Sequence, residues 1–160
     1  GKAFVREMNR LGILVDVTHM EETTFWDALE AAQGPLVATH GNARSLHDTP
    51  RYLTDDQIRA IAATGGLICP SPTPLGPAPE VASLDMLLNQ IDYMVAMVGA
   101  DHVGFGTDFL GSAPTPISGL ADVGETGNIG TGLRQRGHGS ETVDKILGGN
   151  LLRVFEVVAG

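Results

Sequence analysis

Several features that mark other classes of protein are scarce or missing in this sequence of 160 residues. Its single cysteine, Cys69, cannot form an internal disulfide. The sequence therefore gives no indication of the disulfide framework that is typical of small secreted domains. The formal net charge of −9 argues against a non-specific nucleic-acid binder, because such proteins need a basic surface. No apolar run approaches the roughly 20 residues that span a bilayer, so no transmembrane segment is expected.

The motifs of several enzyme classes are also missing. The sequence has no G-x-S-x-G, no H-E-x-x-H and no paired C-x-x-C, so catalysis by a nucleophilic serine or cysteine has no support. No G-x-G-x-x-G follows an early strand, which disfavours a dinucleotide-binding sheet. Cys69 lies in an apolar stretch, and we predict that it is a small buried side chain.

Short apolar runs alternate with helical patterns along the chain. Four runs are typical of buried parallel strands, at 13–17, 35–39, 67–69 and 102–106. Helices are expected at 2–11, at 25–33, from Thr54, from Ser83, and at 140–147 and 151–158, with a proline-rich loop at 70–79 and a glycine-rich loop at 111–139. This order predicts about four parallel βα units with right-handed crossovers, followed by C-terminal helices. The pattern alone leaves a barrel and a doubly wound sheet open.

The most specific local feature is a repeated strand ending. One predicted strand leads into Thr18-His19, and the next leads into Thr39-His40. The carboxyl ends of neighbouring parallel strands meet at one edge, so the two imidazoles are expected within reach of one ion, and imidazole suits zinc. A single histidine there is more often structural, but the pair in equivalent positions favours a metal site. Two ligands are too few for a catalytic zinc, so other residues must contribute.

Two further side chains are candidates at the same edge. Asp108 follows the fourth predicted strand and could handle the proton of an activated water, although an aspartate that fixes the loop is equally compatible with its position. Arg51 could hold a substrate carboxylate through two parallel hydrogen bonds, with Arg44 as the local competitor. Asp16 lies inside its strand and is interpreted as a supporting carboxylate. The remaining histidines are expected to be structural or on the surface: His47, His102 and His138.

These residues resemble the C-terminal half of the membrane (renal) dipeptidase family of zinc peptidases. The similar stretches include E-M-N-R-L-G-I-L-V-D-V-T-H at 7–19, A-T-H at 38–40, P-R at 50–51, G-F-G-T-D-F at 104–109 and G-G-N-L-L-R-V-F-E at 148–156. The likeness runs over nearly the whole chain. It includes the 21-residue step from His19 to His40.

The resemblance implies half of a TIM-type (β/α)8 barrel, in an enzyme that hydrolyses dipeptides with two zinc ions bridged by a glutamate and a water. By this resemblance, His19 and His40 are ligands of the second zinc. Arg51 corresponds to the arginine that holds the terminal carboxylate of the dipeptide, and Asp108 corresponds to the catalytic aspartate. The expected partner is a dipeptide substrate, while homo-oligomer formation by the full-length protein stays open.

The sequence also departs from the family pattern. No segment matches the His-x-Asp motif for the first zinc, its bridging glutamate or a further substrate-binding histidine. Leu110, Gly41 and Tyr52 stand where acidic, serine and asparagine residues are usual. We therefore expect residues 1–160 to be a partial barrel domain that lacks its N-terminal half and is inactive alone. Another metal-dependent amidohydrolase-type barrel and a degenerate barrel fragment are the alternatives.

The compartment is not decided by these features. The single cysteine favours a cytoplasmic protein. A periplasmic or secreted protein remains open, because the start that would carry a signal peptide is not part of this sequence.

Overall fold

A small parallel sheet lies at the centre of the chain. The computed structural model describes residues 1–72, 83–109 and 117–160. Outside the described residues lie part of the predicted proline-rich loop, Leu110, and positions 111–116 of the predicted glycine-rich loop. The sheet contains β1 (Val15–Asp16), β2 (Leu36–Ala38) and β3 (Leu67–Ile68), in the order β1-β2-β3. All pairs are parallel, which confirms the α/β class.

A fourth segment extends this sheet without forming a regular strand. Val103 makes a parallel bridge to Ile68, and the amides of Gly104 and Gly106 donate to the carbonyls of Ile68 and Pro70, both at 2.9 Å. A regular parallel ladder would continue with a donor at residue 70, and proline has none. The predicted strand at 102–106 is therefore wrong in part, and its first residue belongs to the 3-10 turn Ala100–His102.

Helices surround the sheet in the predicted alternation. They are α1 (Lys2–Arg10), α2 (Glu22–Ala31), α3 (Asp55–Ala63), α4 (Leu84–Val98), α5 (Gly127–Gln135), α6 (Ser140–Asp144) and α7 (Asn150–Ala159). The predicted capping box is confirmed, since Thr54 accepts from the Gln57 amide and the Gln57 side chain accepts from the Thr54 amide. Ser83 caps α4 by accepting from the Met86 amide. A π-helical turn, Lys145–Gly149, separates α6 from α7.

Helix α5 was not predicted, because it lies in the stretch interpreted as a glycine-rich loop. Its buried side chains are Ile129 and Leu133. Glycine is a poor helix former, but here it allows close packing, since a Cβ on Gly132 would lie 2.5 Å from Leu88 Cδ1 of α4. The loop prediction for 111–139 is thus wrong over α5 and over the 3-10 turn Val123–Glu125.

Apolar side chains cover both faces of the sheet, as the continuous hydrophobic runs predict. One face packs against α2, α3 and α4 through Val15, Leu36, Ile68, Phe25, Ile58 and Ile91. The other face, with Val37, Leu67 and Cys69, packs against Val154 of α7. None of the helices in the described ranges is both long enough and apolar enough to cross a membrane.

Candidate metal centre

The two strand-end histidines lie side by side at the carboxyl edge of the sheet. His19 follows β1 and His40 follows β2, and their rings meet edge to face at a centroid distance of 4.6 Å. The two Nε2 atoms are 2.9 Å apart. The structure therefore brings together the pair that the strand ends predicted.

Hydrogen bonds indicate which ring nitrogens carry protons. Thr39 Oγ1 donates to Asp16 Oδ2 at 2.7 Å, so it accepts from His40 Nδ1 at 3.1 Å. This assigns the proton of a neutral His40 to Nδ1 and leaves its Nε2 bare. Arg51 Nη2 can only donate, and it lies 2.8 Å from His19 Nε2, which must also be bare. In the neutral forms of the two rings, two lone pairs therefore face each other across 2.9 Å.

This arrangement of donors fits a metal ion. Two nitrogens on one tetrahedral zinc, with bonds of about 2.0–2.1 Å, lie about 3.3 Å apart. The observed Nε2 separation of 2.9 Å differs from that by a few tenths of an ångström. Within residues 1–72, 83–109 and 117–160, no group of three or more His, Cys, Asp or Glu side chains is placed to hold a metal ion.

Asp16 accepts four hydrogen bonds beside the histidines. Its donors are the amide and hydroxyl of Thr18, at 3.0 and 2.6 Å, and the amide and hydroxyl of Thr39, at 3.3 and 2.7 Å. Loss of water around the carboxylate by itself raises the pKa of Asp16, but these hydrogen bonds outweigh that effect, so its pKa lies below the ordinary value. The sequence interpretation missed both threonines, although the repeated Thr-His pair was a signal for them.

Charges around His19 act on it in opposite directions. Burial lowers the pKa of His19, and the positive charge of Arg51 and the neighbouring His40 lower it further. The carboxylates of Asp108 and Asp16 raise it by less. The charge of Asp108 therefore acts on this site.

His19 and Asp108 also share an unusual backbone conformation. Both lie in the left-handed region, with φ of 64° and 50°. Such conformations are uncommon outside glycine and concentrate at functional sites.

A cavity of about 440 Å³ opens beside His19. Arg51 and Arg44 both line it, together with Glu22, the first residue of α2, and Glu21 before it. The two guanidiniums have different roles in the structure, because Arg44 Nη2 donates to the Pro50 carbonyl at 3.1 Å and Arg51 Nη2 reaches the histidine pair. Arg51 is thus the guanidinium at the candidate metal centre.

The other histidines and the cysteine lie outside this cluster, as predicted. His102 Nδ1 lies 3.0 Å from the Gly66 carbonyl oxygen, and His138 pairs with Asp92 at 2.7 Å. The His47 and Tyr52 rings have centroids 6.0 Å apart and planes inclined at 56°. Cys69 is buried, and burial raises its pKa to about 12. A thiol with that pKa stays protonated and unreactive at neutral pH.

Paired imidazoles at the carboxyl edge of a parallel sheet, with a guanidinium and a carboxylate beside them, are typical of metal-dependent α/β hydrolases. The sequence profile described as "Membrane dipeptidase (Peptidase family M19)" matches residues 1–160. The chain therefore belongs to the membrane dipeptidase family. Membership in this metallopeptidase family implies a metal cofactor.

Individual relatives agree with this assignment. The chain is 34% identical over 160 residues to "Dipeptidase tcpJ" of Claviceps purpurea (strain 20.1), an alignment that covers 99% of this chain and 37% of that protein. It matches the crystal structure of dipeptidase AC, a metallo peptidase of family M19, with a TM-score of 0.89 and 30% identity, over 99% of this chain and 48% of that one.

A second solved structure is a metallo peptidase from Rhodobacter sphaeroides liganded with a phosphinate mimic of the dipeptide L-Ala-D-Ala. Its TM-score is 0.85 and its identity 29%, over 99% of this chain and 46% of that one. This chain thus spans less than half the length of each of these three relatives.

Proposed function

We propose that this chain is the C-terminal half of a TIM-type barrel in a zinc dipeptidase, and that it supplies the ligands of the second of two zinc ions. The observation that carries the proposal is the approach of the Nε2 atoms of His19 and His40 to 2.9 Å, in a hydrogen-bond network that assigns both as acceptors. The parallel order β1-β2-β3, continued by Val103, supports a partial barrel. The first-metal ligands and the bridging carboxylate then come from residues outside this chain.

His19 and His40 would hold the metal through their Nε2 atoms. When bound, the metal ions polarise the scissile carbonyl and activate a water. The single lone pair on His19 Nε2 serves either Arg51 or a metal, and not both. With His19 Nε2 bound to a metal, the Arg51 guanidinium would be free of this contact. Arg51 lines the cavity, where it would bind the terminal carboxylate of a dipeptide in a bidentate pair.

Asp108 would carry the proton in this reaction. In hydrolysis, the water oxygen bonds to the carbonyl carbon, the C–N bond breaks, and a proton must travel from the water to the leaving nitrogen. Two observations support this role: Asp108 follows Gly106 at the end of the fourth segment of the sheet, and its charge acts on His19. It can accept the proton and then donate it.

Metal analysis and dipeptide turnover of the full-length natural protein that contains this sequence test the proposal. We expect bound zinc and hydrolysis of dipeptides, with loss of the second equivalent of zinc in His19→Ala and His40→Ala. Protein that binds zinc and hydrolyses other amides, but no dipeptide, would support the amidohydrolase alternative instead.

Substrate binding is tested separately through Arg51. Arg51→Ala should raise KM for dipeptides strongly, because the carboxylate loses its cation, while an amidated dipeptide should show little change. Arg59→Ala is the matched control, since Arg59 is exposed on α3 and pairs only with Asp56 in the described contacts. Equal affinity of the wild-type and Arg51→Ala enzymes for free dipeptides would contradict the carboxylate role.

A further inference from the structure

We propose that Asp16 is the positioning residue of the metal centre, because its one carboxylate fixes both histidines by separate routes. The inference rests on the proposed function, since it assumes that His19 and His40 bind a metal. The first route runs through Thr39 to the His40 ring, and the second runs through Thr18 to the His19 backbone.

The first route sets the proton position on His40. Asp16 is a carboxylate that can only accept, so the Thr39 hydroxyl must donate to it at 2.7 Å. The same oxygen then has only lone pairs left for His40 Nδ1 at 3.1 Å, which requires a proton on Nδ1. Because the Thr39 hydroxyl donates to the carboxylate, it can only accept from the His40 ring. The ring proton therefore stays on Nδ1, and Nε2 keeps the lone pair that a metal would need.

Thr18 makes this direction of hydrogen bonding unambiguous. The Thr18 and Thr39 hydroxyl oxygens are 3.3 Å apart, and either could donate if the contact were isolated. Thr18 Oγ1 donates to Asp16 Oδ1 at 2.6 Å and accepts from the Thr39 amide at 2.9 Å. Both hydroxyl protons therefore point to the Asp16 carboxylate. No hydroxyl proton is left for Thr39 to donate to His40 Nδ1.

The second route holds the chain at His19. Asp16 Oδ1 accepts from the Thr18 amide at 3.0 Å as well as from its hydroxyl, so the turn after β1 closes on the carboxylate. His19 follows with a φ of 64°, an uncommon conformation that needs support from its surroundings. Through this turn, Asp16 holds His19 Nε2 at 2.9 Å from His40 Nε2.

The decisive variant is Asp16→Asn, because it retains the shape and reverses the hydrogen bonding. With the asparagine oxygen held by Thr18, its Nδ2 group would donate to the Thr39 hydroxyl, which is then free to donate to His40 Nδ1. We expect the His40 proton to move to Nε2, where it competes with metal binding and weakens it. Thr39→Val should remove the link, and Thr39→Ser should retain the wild-type state. Asp56→Asn is the matched control, on an exposed carboxylate of α3.

Two measurements read the outcome in the full-length protein. Long-range ¹H–¹⁵N spectra of the imidazoles, on metal-free protein, show which nitrogen of His40 carries the proton. Competition with a zinc chelator gives metal affinity, which we expect to fall about 10–100-fold in Asp16→Asn and Thr39→Val. Thr39→Ser and Asp56→Asn should stay within about twofold of wild type, since the hydroxyl and the carboxylate at the site are intact.

The two proposals fail in different ways. If Asp16→Asn and Thr39→Val both keep the wild-type proton position and zinc affinity, the positioning role of Asp16 is wrong, whatever the enzyme hydrolyses. If Asp16→Asn does not fold, the comparison of Thr39→Val with Thr39→Ser decides the same question. If the spectra change as expected but wild-type protein hydrolyses no dipeptide, the proposed substrate is wrong and the positioning role stands.

Discussion

Gly106 is a position where a single methyl group should damage both the fold and the candidate site. A Cβ built on Gly106 would lie 1.9 Å from the Thr39 carbonyl oxygen and 3.3 Å from His40 Cβ. The obstacle is backbone, so no side-chain rotation can relieve it. To restore a normal contact, the two segments must separate by more than about 1 Å, which breaks the close packing of the interior.

The expected cost of Gly106→Ala follows from these contacts. Forced separation of packed segments costs about 1–3 kcal/mol, and loss of the Gly106–Pro70 hydrogen bond, now 2.9 Å long, adds about 1 kcal/mol. We expect the free energy of unfolding to fall by about 2–4 kcal/mol, measured by urea denaturation with an unchanged slope. Zinc affinity should fall as well, because Thr39 and His40 are displaced.

Gly34→Ala is the control for this prediction. Gly34 lies in the turn before β2, and a Cβ there meets no atom within 4 Å. Its free energy of unfolding should stay within about 0.5 kcal/mol of wild type, as for most surface substitutions. A Gly106→Ala protein as stable as Gly34→Ala would refute the close approach of the fourth segment to the end of β2.

Three further predictions concern other parts of the chain. Asn150 is buried and donates to the carbonyls of Ala100 and Val103 at 2.6 and 2.8 Å, so Asn150→Ala should lower the free energy of unfolding by about 2 kcal/mol or more in urea titrations. The pKa of Asp16 is lower in the folded protein than its ordinary 3.8, so its stabilising contribution is complete above that pH and is lost as pH falls through the folded pKa. The stability difference between wild type and Asp16→Asn should therefore shrink on acidification. Cys69, with a pKa near 12, should resist a disulfide-exchange reagent at pH 8 in the folded protein and react fully in urea.

Local rules predicted most of the helices and three of the strands. The capping box at Thr54 and the cap at Ser83 depend only on neighbours within one turn, and both were confirmed. The fourth strand depended on a donor in another segment, and Pro70 removes it. Helix α5 was missed because its glycines have low helix propensity. The close packing of Gly132 against Leu88 is a tertiary contact, which helix propensity does not take into account.

The candidate site shows the same division between what the sequence predicted and what it did not. Strand ends on one edge predicted that His19 and His40 would meet, and they do. The repeated Thr-His pair marked Thr39, but its contacts with Asp16 and Thr18 could not be predicted without the register between β1 and β2. Arg51 was expected to face a substrate. Its contact with His19 Nε2 at 2.8 Å uses the nitrogen that the proposed metal would need.

The 21-residue step between the histidines is a consequence of strand register. Val15 pairs with Leu36 and Asp16 with Val37, so each residue of β1 lies opposite the residue 21 positions later. The same offset carried past the strand ends places Thr18 beside Thr39 and His19 beside His40, at the contacts of 3.3 and 2.9 Å. A register slip by one residue would turn Thr39 to the opposite face and separate it from Asp16. The hydrogen-bond ladder between β1 and β2 therefore sets both the pairing of the two histidines that we propose as metal ligands and the contacts of Asp16 with Thr18 and Thr39.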